Sequence, residues 1–350
     1  MIRVTMKLKT FLCGFAALAV LAGCNSGSSG STASTTGSTP AASGPAKKLR
    51  ITMIAKSDNN PVFQAAKTGA EAAAKDLGKQ NDIEISIDWR TPPTEDGEEQ
   101  ARRIAQAVND GTDVVLISCS NAAKVTGAIN DAVAKGVPVM TFDSDAPDSK
   151  RFAFYGTDDL ECGKQVMAEL AKLTGGKARV QILAGNQDAP NLQNRKKGVE
   201  EEAKKYPGIK ITGTSYHVET PQDAASEVTR QMNADTSIDA WAMVGGWPLF
   251  SSALMNLDPK RVKIVSVDAL PEELGYVEKG IVPVLLAQPV YEWGYKSVGF
   301  IVDKVVLKQD VPVINKMQLV RVSKDNLGMW AKQLQDWGFT VDQKYLAVKP

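Results

Sequence analysis

Short apolar runs alternate with longer amphipathic segments along most of this chain, and this alternation limits the possible folds more than any other feature. The apolar runs have the length of strands, and the segments between them have the period of helices. The predicted strands cover residues 49–55, 83–88, 113–117, 137–142, 152–155, 179–183, 209–216, 239–244, 262–267 and 284–287. The predicted helices cover residues 61–77, 95–110, 121–135, 158–173, 191–206, 221–234, 247–257, 271–279 and 290–308. Such an array predicts parallel sheets with helices on both faces.

The alternation restarts after Gly156-Thr157-Asp158, so we predict two similar α/β domains, each built on a doubly wound parallel sheet. A chain of 350 residues has the right length for two domains that each bury a core. The strand-like run 311–322 and an amphipathic piece near residues 329–337 fit neither half cleanly.

A buried strand that ends in carboxylates gives the first indication of a site. The apolar run 137–142 follows a glycine, contains a proline and ends in Asp143-Ser144-Asp145, which is typical of a strand buried on both faces of a parallel sheet. Ligands of open α/β sheets bind outside the carboxyl ends of the strands. Asp143 is therefore predicted to face a ligand, with Asp145 as a second candidate. The alternative is that both carboxylates cap the following turn.

The composition and motifs argue against several classes of function. With 41 basic and 40 acidic residues, the net charge is +1, which gives no field for nucleic acid and leaves a small neutral ligand as the expected partner. One histidine, His217, and no paired cysteine spacing make a zinc site unexpected, and no cofactor is predicted. The G-x-G-x-x-G and G-x-S-x-G motifs are missing, and a lone histidine is more often structural than catalytic, so we predict a binding protein rather than an enzyme.

The N-terminal region has the pattern of an exported lipoprotein. Basic residues precede the apolar run Phe11–Leu21, which predicts a secretory signal. The sequence Leu21-Ala22-Gly23-Cys24 resembles the lipobox of bacterial lipoproteins, which implies lipidation at Cys24; an ordinary signal with a chance cysteine is the alternative. Residues 25–46 are rich in Ser, Thr, Gly, Ala and Pro and predict a flexible tether. Cys119 and Cys162 remain in the exported part, where an oxidising compartment would permit a disulfide.

Polar and aromatic side chains follow the other predicted strands as well, and in a doubly wound domain the strand ends share one edge. Carboxylates accept hydrogen bonds from hydroxyls, Lys and Arg donate, and aromatic faces pack on the C–H surfaces of sugars. The tips therefore predict a site for a sugar or polyol. The tip residues are Lys56, Asn60, Phe63, Ser118, Asp143, Gly185-Asn186-Gln187-Asp188, Gly245-Gly246-Trp247, Asp268 and Gln288. Taken singly, three have ordinary alternatives: a solvated loop lysine for Lys56, a helix N-cap for Asn60 and a core aromatic for Phe63.

Four segments carry a family resemblance. Asn59-Asn60-Pro61-Val62-Phe63, the run from Gly136 to Asp143, Gly156-Thr157-Asp158 and Arg195-Lys196-Lys197-Gly198 stand in the order seen in ribose-type periplasmic binding proteins. From about residue 48 to about residue 320, the chain resembles a solute-binding lipoprotein of a sugar ABC importer.

The resemblance implies the type I fold of periplasmic binding proteins, with two domains joined by a hinge of three crossings. It places the crossings near residues 156–158, within residues 268–288 and around Val320. The expected lobes are residues 47–156 plus 289–320 and residues 157–288 plus 321–350. The implied ligand contacts are Asn60, Phe63, Asp143, Arg195, Asp268 and Gln288.

Departures from the ribose pattern argue against ribose itself. Lys56 and Ser144 stand where that pattern has Ser and Arg, and Trp247 has no counterpart in it. Lys56 together with Asp143-Ser144-Asp145 is similar to the autoinducer-2 and rhamnose-binding branch. We expect a monosaccharide or polyol, with autoinducer-2 or another signal molecule as the alternative. Trp247 is hypothesised to stack on the ligand; packing in the core is the competing interpretation.

The mechanism that the resemblance implies is hinge closure over the ligand by a monomer held at the outer face of the cytoplasmic membrane or in the periplasm. The closed form would then be recognised by a membrane permease. A sugar-responsive repressor would carry a DNA-binding segment where this chain has a leader and tether, so that class is not expected. A receptor that signals to a sensor protein stays open as an alternative to transport.

Overall fold

The computed structural model describes residues 47–347, and within them the chain forms two six-stranded sheets. The strands are β1 (Lys47–Ile54), β2 (Ile83–Trp89), β3 (Val114–Ile117), β4 (Val139–Phe142), β5 (Ala153–Thr157), β6 (Lys177–Leu183), β7 (Gly208–Ser215), β8 (Ala240–Met243), β9 (Lys263–Val267), β10 (Val284–Ala287), β11 (Ile314–Met317) and β12 (Val320–Val322). The first sheet has the order β11-β5-β4-β3-β1-β2, and the second has the order β12-β10-β9-β8-β6-β7. The strand pairs of the described residues are parallel except the antiparallel pair β10–β12.

Helices cover both sheets, as the alternating pattern predicts. They are α1 (Pro61–Asn81), α2 (Gly97–Asn109), α3 (Ala122–Ala134), α4 (Asp159–Thr174), α5 (Pro190–Ala203), α6 (Pro221–Ala234), α7 (Leu274–Lys279), α8 (Val290–Ile301), α9 (Leu327–Asp336) and α10 (Gln343–Leu346). Every residue of the central strands β3, β4, β8 and β10 is buried, which explains their uninterrupted apolar runs. We call the part built on the first sheet lobe 1 and the part built on the second sheet lobe 2.

The chain crosses between the two sheets three times. It leaves the first sheet after β5 and enters lobe 2 with α4, which packs on α5 and under β8 and β9. It returns between β10 and α8, because α8 packs on α1 of lobe 1. The third crossing lies between β11 and β12, which belong to different sheets. The fold is the two-domain, three-crossing arrangement expected from the resemblance.

Glycines bring one pair of helices into backbone contact in each lobe. A Cβ atom on Gly294 of α8 would lie 1.8 Å from the carbonyl oxygen of Ala66 in α1, and one on Gly69 would lie 1.9 Å from the carbonyl oxygen of Tyr291. Gly163 of α4 meets α5 in the same way, since its Cβ would lie 1.8 Å from the Arg195 carbonyl oxygen. These helices can approach so closely only because no side chain stands between them.

Some predicted elements are wrong. Only Trp247–Leu249 forms a short 3-10 helix where a helix over residues 247–257 is expected, and bends and turns follow over residues 250–256. There Ser251 Oγ accepts from the Ala253 amide at 3.4 Å, a local hydrogen bond of the kind that competes with a helix. The run 311–322 contains two strands, β11 and β12, that pair with different sheets. The helix expected over residues 290–308 is α-helical to Ile301 and then continues as a π-helical turn over Val302–Val306.

The two cysteines of the described part are free, buried thiols in separate apolar clusters, Cys119 in lobe 1 and Cys162 in lobe 2. Burial raises the pKa of Cys162 to about 12, so this thiol is neutral at ordinary pH. The predicted leader, the predicted lipidation site Cys24 and the predicted tether lie outside residues 47–347. Among the helices of that range, none is long and apolar enough to cross a membrane.

Candidate ligand-binding site

The carboxyl ends of both sheets face a cavity between the lobes, with an empty volume of about 280 Å³. The lining side chains nearly fill this cavity, because the centre of a water-sized sphere can occupy only about 20 Å³ of it. We call it the inner cavity; its lining is Lys56, Asn60, Val62, Phe63, Asp143, Asn191, Leu192, Arg195, Glu219, Gly245, Trp247, Asp268, Gln288 and Trp293. Of the nine tip and helix residues predicted as contacts, eight therefore lie together. The ninth, Ser118, lies behind Asp143.

Asp143 projects from the end of β4 in a conformation that few residues other than glycine adopt. Its φ is +56°, in the left-handed region. Ser118 donates a hydrogen bond of 2.7 Å to its Oδ2, and Asn191 of lobe 2 donates one of 3.2 Å to its Oδ1. Strain of this kind persists where surrounding contacts fix the residue, and it is concentrated at ligand sites.

Asp268 repeats this geometry at the end of β9 in lobe 2. Its φ is +76°. Gln288 Nε2 donates to its Oδ1 at 2.8 Å, and the Gly246 amide donates to its Oδ2 at 3.2 Å. Each sheet thus presents one strained aspartate to the inner cavity.

Arg195 is held rigidly by acceptors of lobe 2. Its Nε donates to Asp159 at 2.8 Å, one terminal nitrogen donates to the Val244 carbonyl at 3.1 Å, and the other donates to Gln288 Oε1 at 2.7 Å. Its side chain is 3% exposed, so the guanidinium is fixed and largely desolvated. Gln288 also accepts from Thr157 at the first crossing, which links the arginine to the hinge.

Lys56 joins the lobes through an ion cluster. Its ammonium lies 3.1 Å from Glu95 of lobe 1 and 3.3 Å from Glu219 of lobe 2, and its side chain is 2% exposed. The Asn186 side chain of lobe 2 donates to Glu95 at 2.7 Å. Burial alone would lower the pKa of Lys56, but the carboxylates of Glu219 and Glu95 outweigh it and raise that pKa. The ammonium therefore stays charged.

Burial shifts the carboxylates of the site toward protonation. It raises the pKa of Asp143 and that of Asp268, although Lys56 and Arg195 partly oppose the effect. The pKa of Asp159 rises to about 7 for the same reason, in spite of its ion pair with Arg195. Two strand-tip carboxylates without a direct ion pair to a cation thus face the inner cavity, where a ligand that donates hydrogen bonds would relieve their desolvation.

Aromatic rings close the inner cavity from both lobes. Phe63 stacks on Trp293 with ring centroids 6.2 Å apart and meets Phe142 edge-on at 6.5 Å. Trp247 donates from Nε1 to Glu219 at 3.1 Å and is 4% exposed. A Cβ atom on Gly245 would lie 2.5 Å from the Trp247 ring, so the glycine that precedes the tip makes room for it.

The structure also decides between several interpretations of single residues. Asn60 caps α1 by accepting from the Val62 amide and also lines the inner cavity, so the cap is confirmed and the ligand contact stays a prediction. Lys56 is buried, so it is not a solvated loop lysine. Asp145 is not in the cavity lining; Arg151 forms two hydrogen bonds of 2.5 Å with its carboxylate. That ion pair makes Asp145 a structural residue.

Sequence reasoning missed Glu95, Asp159, Asn191, Glu219 and Trp293. Trp293 is not among the predicted contacts, yet it lines the inner cavity, and its buried Nε1 has no hydrogen-bond partner in the described residues. Its position in the first turn of α8, directly after a strand tip, is the same signal that identifies Phe63 in α1. Glu95 and Glu219 stand in loops with no such signal. Within residues 47–347, no group of His, Cys, Asp and Glu is arranged to hold a metal ion.

We predict that the closed form of the site is favoured by acid through Glu95. Burial and the neighbouring Glu219 raise the pKa of Glu95 from 4.5 to about 7. When the lobes separate, this carboxyl returns to water and its pKa falls, so the closed form binds a proton more tightly than the open form. The contribution of Glu95 to the free energy of closure is therefore fully present below pH 4.5 and is lost as the pH rises through about 7.

The measurement is ligand affinity between pH 5 and pH 8 for the native chain and for Glu95→Gln. Affinity is expected to fall severalfold across this range in the native chain, and the variant is expected to show a flatter profile. Glu98→Gln, at an exposed position in α2, is the matched control and should keep the native profile. An identical pH profile in Glu95→Gln would contradict the assignment.

Two lobes that enclose a desolvated polar cavity define a ligand-binding protein of the hinged, two-domain class. A family model described as periplasmic binding protein domain matches residues 51–308. The chain therefore belongs to the periplasmic binding protein family and has the type I fold. Its relatives are binding proteins of transport systems and not enzymes, which confirms the prediction of a binding protein.

Two curated relatives and one solved structure illustrate the similarity. The chain is 29% identical over 159 residues to the ribose import binding protein of Bacillus subtilis, covering 45% of this chain and 50% of that protein. It is 26% identical over 171 residues to a xylitol-binding protein of Mycolicibacterium smegmatis, covering 49% of this chain and 46% of that protein. The matched region thus spans about half the length of each relative. A glucose-galactose binding protein from Geobacillus stearothermophilus is 26% identical, with 80% of this chain and 99% of that chain covered and a TM-score of 0.73.

Proposed function

We propose that this protein is the substrate-binding protein of a sugar ABC importer and that it binds a monosaccharide or polyol in the inner cavity. The observation that carries the proposal is the pairing of two strained strand-tip carboxylates, Asp143 and Asp268, with the fixed donors Arg195 and Lys56 in one desolvated space. A sugar hydroxyl donates to a carboxylate and accepts from a cation, so a polyhydroxylated ligand matches both the two carboxylates and the two cations. The names of the relatives support the same class of ligand.

The ligand contacts of this proposal are the predicted residues together with one addition. They are Lys56, Asn60, Phe63, Ser118 acting through Asp143, Asp143, Arg195, Trp247, Asp268, Gln288 and the added Trp293, whose free Nε1 donor would meet a ligand oxygen. Trp247 and Phe63 would supply apolar faces for the sugar C–H surface.

Closure about the hinge is the proposed mechanism. In the structure, lobe-to-lobe contacts already cross the cleft between Lys56 and Glu219 and between Asp143 and Asn191. A ligand shifts the balance toward this form by the contacts it makes with both lobes at once. The partner for the closed form would be the permease of the importer. We further propose that the protein acts as a monomer on the outer side of the cytoplasmic membrane, anchored by lipid at Cys24, with lobe boundaries close to those predicted from the sequence.

The test is thermal unfolding of the chain from Lys47 onward with a panel of pentoses, hexoses, deoxysugars, polyols and autoinducer-2. A ligand that binds the folded state alone raises the midpoint, so one or a few sugars are expected to do so. A shift with autoinducer-2 and with no sugar would replace the proposal by the signal-receptor alternative. No shift with any member, confirmed by calorimetric titration, would refute a sugar or polyol as the ligand.

Asp143→Ala is expected to weaken binding of the sugar found in that panel at least tenfold, which is about 1.4 kcal/mol. The change removes an acceptor from the inner cavity and leaves Ser118 and Asn191 without their shared partner. Asp148→Ala, at an exposed position in the loop that follows β4, is the matched control and should bind like the native chain. Calorimetric titration measures both, and native affinity in Asp143→Ala would remove this residue from the site.

A further inference from the structure

A second cavity adjoins the inner one and is larger. We call it the outer cavity, and the centre of a water-sized sphere can occupy about 430 Å³ of it. It is lined by Ser57, Asn59, Pro93, Thr94, Glu95, Gly185, Asn186, Gln187, Tyr216, His217, Val218, Glu219 and Thr220. Four loops from both lobes build it: those before α1, α2, α5 and α6. Like the inner cavity, it therefore lies between the lobes.

The wall between the two cavities is the ion cluster of Lys56, Glu95 and Glu219. Glu219 lines both cavities, Lys56 lines only the inner one and Glu95 only the outer one. Glu219 Oε2 accepts from Trp247 on the inner side, and its Oε1 accepts from the Asn186 amide on the outer side at 3.3 Å. A single layer of side chains thus separates the two spaces.

One polar atom in the outer lining, on His217, is buried and lacks a hydrogen-bond partner among the described residues. Glu95 Oε1 is buried too, but it forms an ion pair of 3.1 Å with Lys56 Nζ. His217 Nδ1 contacts the Val218 carbonyl at 2.7 Å, so Nδ1 carries the proton and the buried Nε2 is an unused acceptor. Burial lowers the pKa of His217, which keeps the ring neutral. Unsatisfied buried acceptors cost free energy that a ligand hydroxyl can recover.

The remaining lining has the surfaces that recognise a carbohydrate. Tyr216 is 38% exposed and Val218 is 64% exposed, so an aromatic face and an aliphatic one stand at the rim. Amide and hydroxyl groups of Asn59, Gln187 and Thr220 accompany them. The lining has two carboxylates and no lysine or arginine, which disfavours a phosphate or carboxylate group on the ligand.

From this arrangement we propose that the outer cavity is a second sugar compartment and that the ligand is a glycoside of two units, a disaccharide or an aryl or alkyl glycoside. This inference rests on the proposed function, because the first unit occupies the inner cavity. The ion pair between Lys56 and Glu219 and the hydrogen bond from Asn186 to Glu95 both join the lobes. Opening of the hinge therefore parts the wall and joins the two cavities. A two-unit ligand places its glycosidic bond at the wall, so Lys56 and Glu219 must stand farther apart than the 3.3 Å seen here when the lobes close on it.

The experiment compares single sugars with matched disaccharides by calorimetric titration of the chain from Lys47 onward. The probes are D-glucose, D-galactose and D-xylose, and maltose, cellobiose, lactose, melibiose and xylobiose. We expect at least one disaccharide to bind tenfold or more tightly than its own terminal monosaccharide. Binding of a monosaccharide with every disaccharide weaker would overturn the inference while leaving the proposed function in place. Binding of neither set would overturn the inference and would leave the proposed function to the wider panel of pentoses, hexoses, deoxysugars and polyols.

Tyr216→Ala provides the residue-level test. The variant is expected to lose at least tenfold in affinity for the disaccharide and to keep the native affinity for the monosaccharide, because Tyr216 lines the outer cavity and not the inner one. Met329→Ala, an apolar residue 57% exposed on α9 and in neither lining, is the matched control and should bind both probes like the native chain. Equal losses for the two probes, or no loss for the disaccharide, would contradict the second compartment.

Discussion

Gly294→Val is expected to lower the free energy of unfolding by at least about 3 kcal/mol, beyond the usual range for overpacked cores. A Cβ atom at this position would lie 1.8 Å from the carbonyl oxygen of Ala66 and 2.5 Å from the Ala70 amide. Both are backbone atoms of α1, so no side-chain rotation can make room. The helices α1 and α8 must move apart, which opens the apolar cluster that includes Phe63, Trp293 and Ile301.

Chemical unfolding in urea measures the effect, and the same helix supplies the control. Gly299 also lies in α8, but a Cβ atom there would have no heavy atom within 4 Å. Gly299→Ala should therefore be neutral or stabilising by up to about 1 kcal/mol, as expected for glycine in a helix. Equal stabilities for Gly294→Val and the native chain would show that the close contact between α1 and α8 is not present in solution.

Arg195→Met is expected to destabilise the chain by about 3–5 kcal/mol, because it leaves Asp159 as a buried carboxyl without its cation. The same change removes the donors to Val244 and Gln288, so ligand binding should also fall at least tenfold. The pKa of Asp159 is already raised to about 7 and rises further without the arginine. The loss of stability should therefore be greatest above pH 7 and should shrink as acid protonates this carboxyl.

Unfolding curves at pH 5 and pH 8 separate this effect from a simple loss of packing, which would be independent of pH. Lys197→Met on the same helix is the control, since Lys197 is 64% exposed and its contact with Glu201 is 3.9 Å long. An exposed pair of this kind contributes at most about 1 kcal/mol. A pH-independent loss in Arg195→Met, or a loss equal to that of Lys197→Met, would contradict the role given to the ion pair.

The strands and the site tips were predictable because both depend on local pattern. A strand buried on both faces must be apolar throughout, so its limits are visible in the sequence, and the residue that follows it lies at the sheet edge by topology. Asp143, Asp268 and Gln288 were found in this way. The helix predicted over residues 247–257 is wrong: the apolar residues suit a helical period, whereas bends and turns follow the short 3-10 helix there.

Contacts that depend on the pairing of distant loops could not be predicted. Glu95 and Glu219 are polar residues in polar loops, and only the closed arrangement of the lobes brings both to Lys56. Trp293 looked like an ordinary core aromatic, because its packing partners Phe63 and Phe142 come from distant parts of the chain. Gly69 and Gly294 likewise lie in helices, and a single sequence does not reveal which other helix each of them contacts.

The contact between α1 and α8 also bears on how the protein is made. Helix α1 is among the first elements to be synthesised, whereas α8 and β11 follow only after most of lobe 2. Multidomain chains commonly fold from the N-terminus as synthesis proceeds. Lobe 1 cannot complete its fold in that order, because the apolar face of α1 has no packing partner until α8, which ends at Ile301, has left the ribosome. Lobe 1 therefore remains incompletely folded until translation is nearly finished.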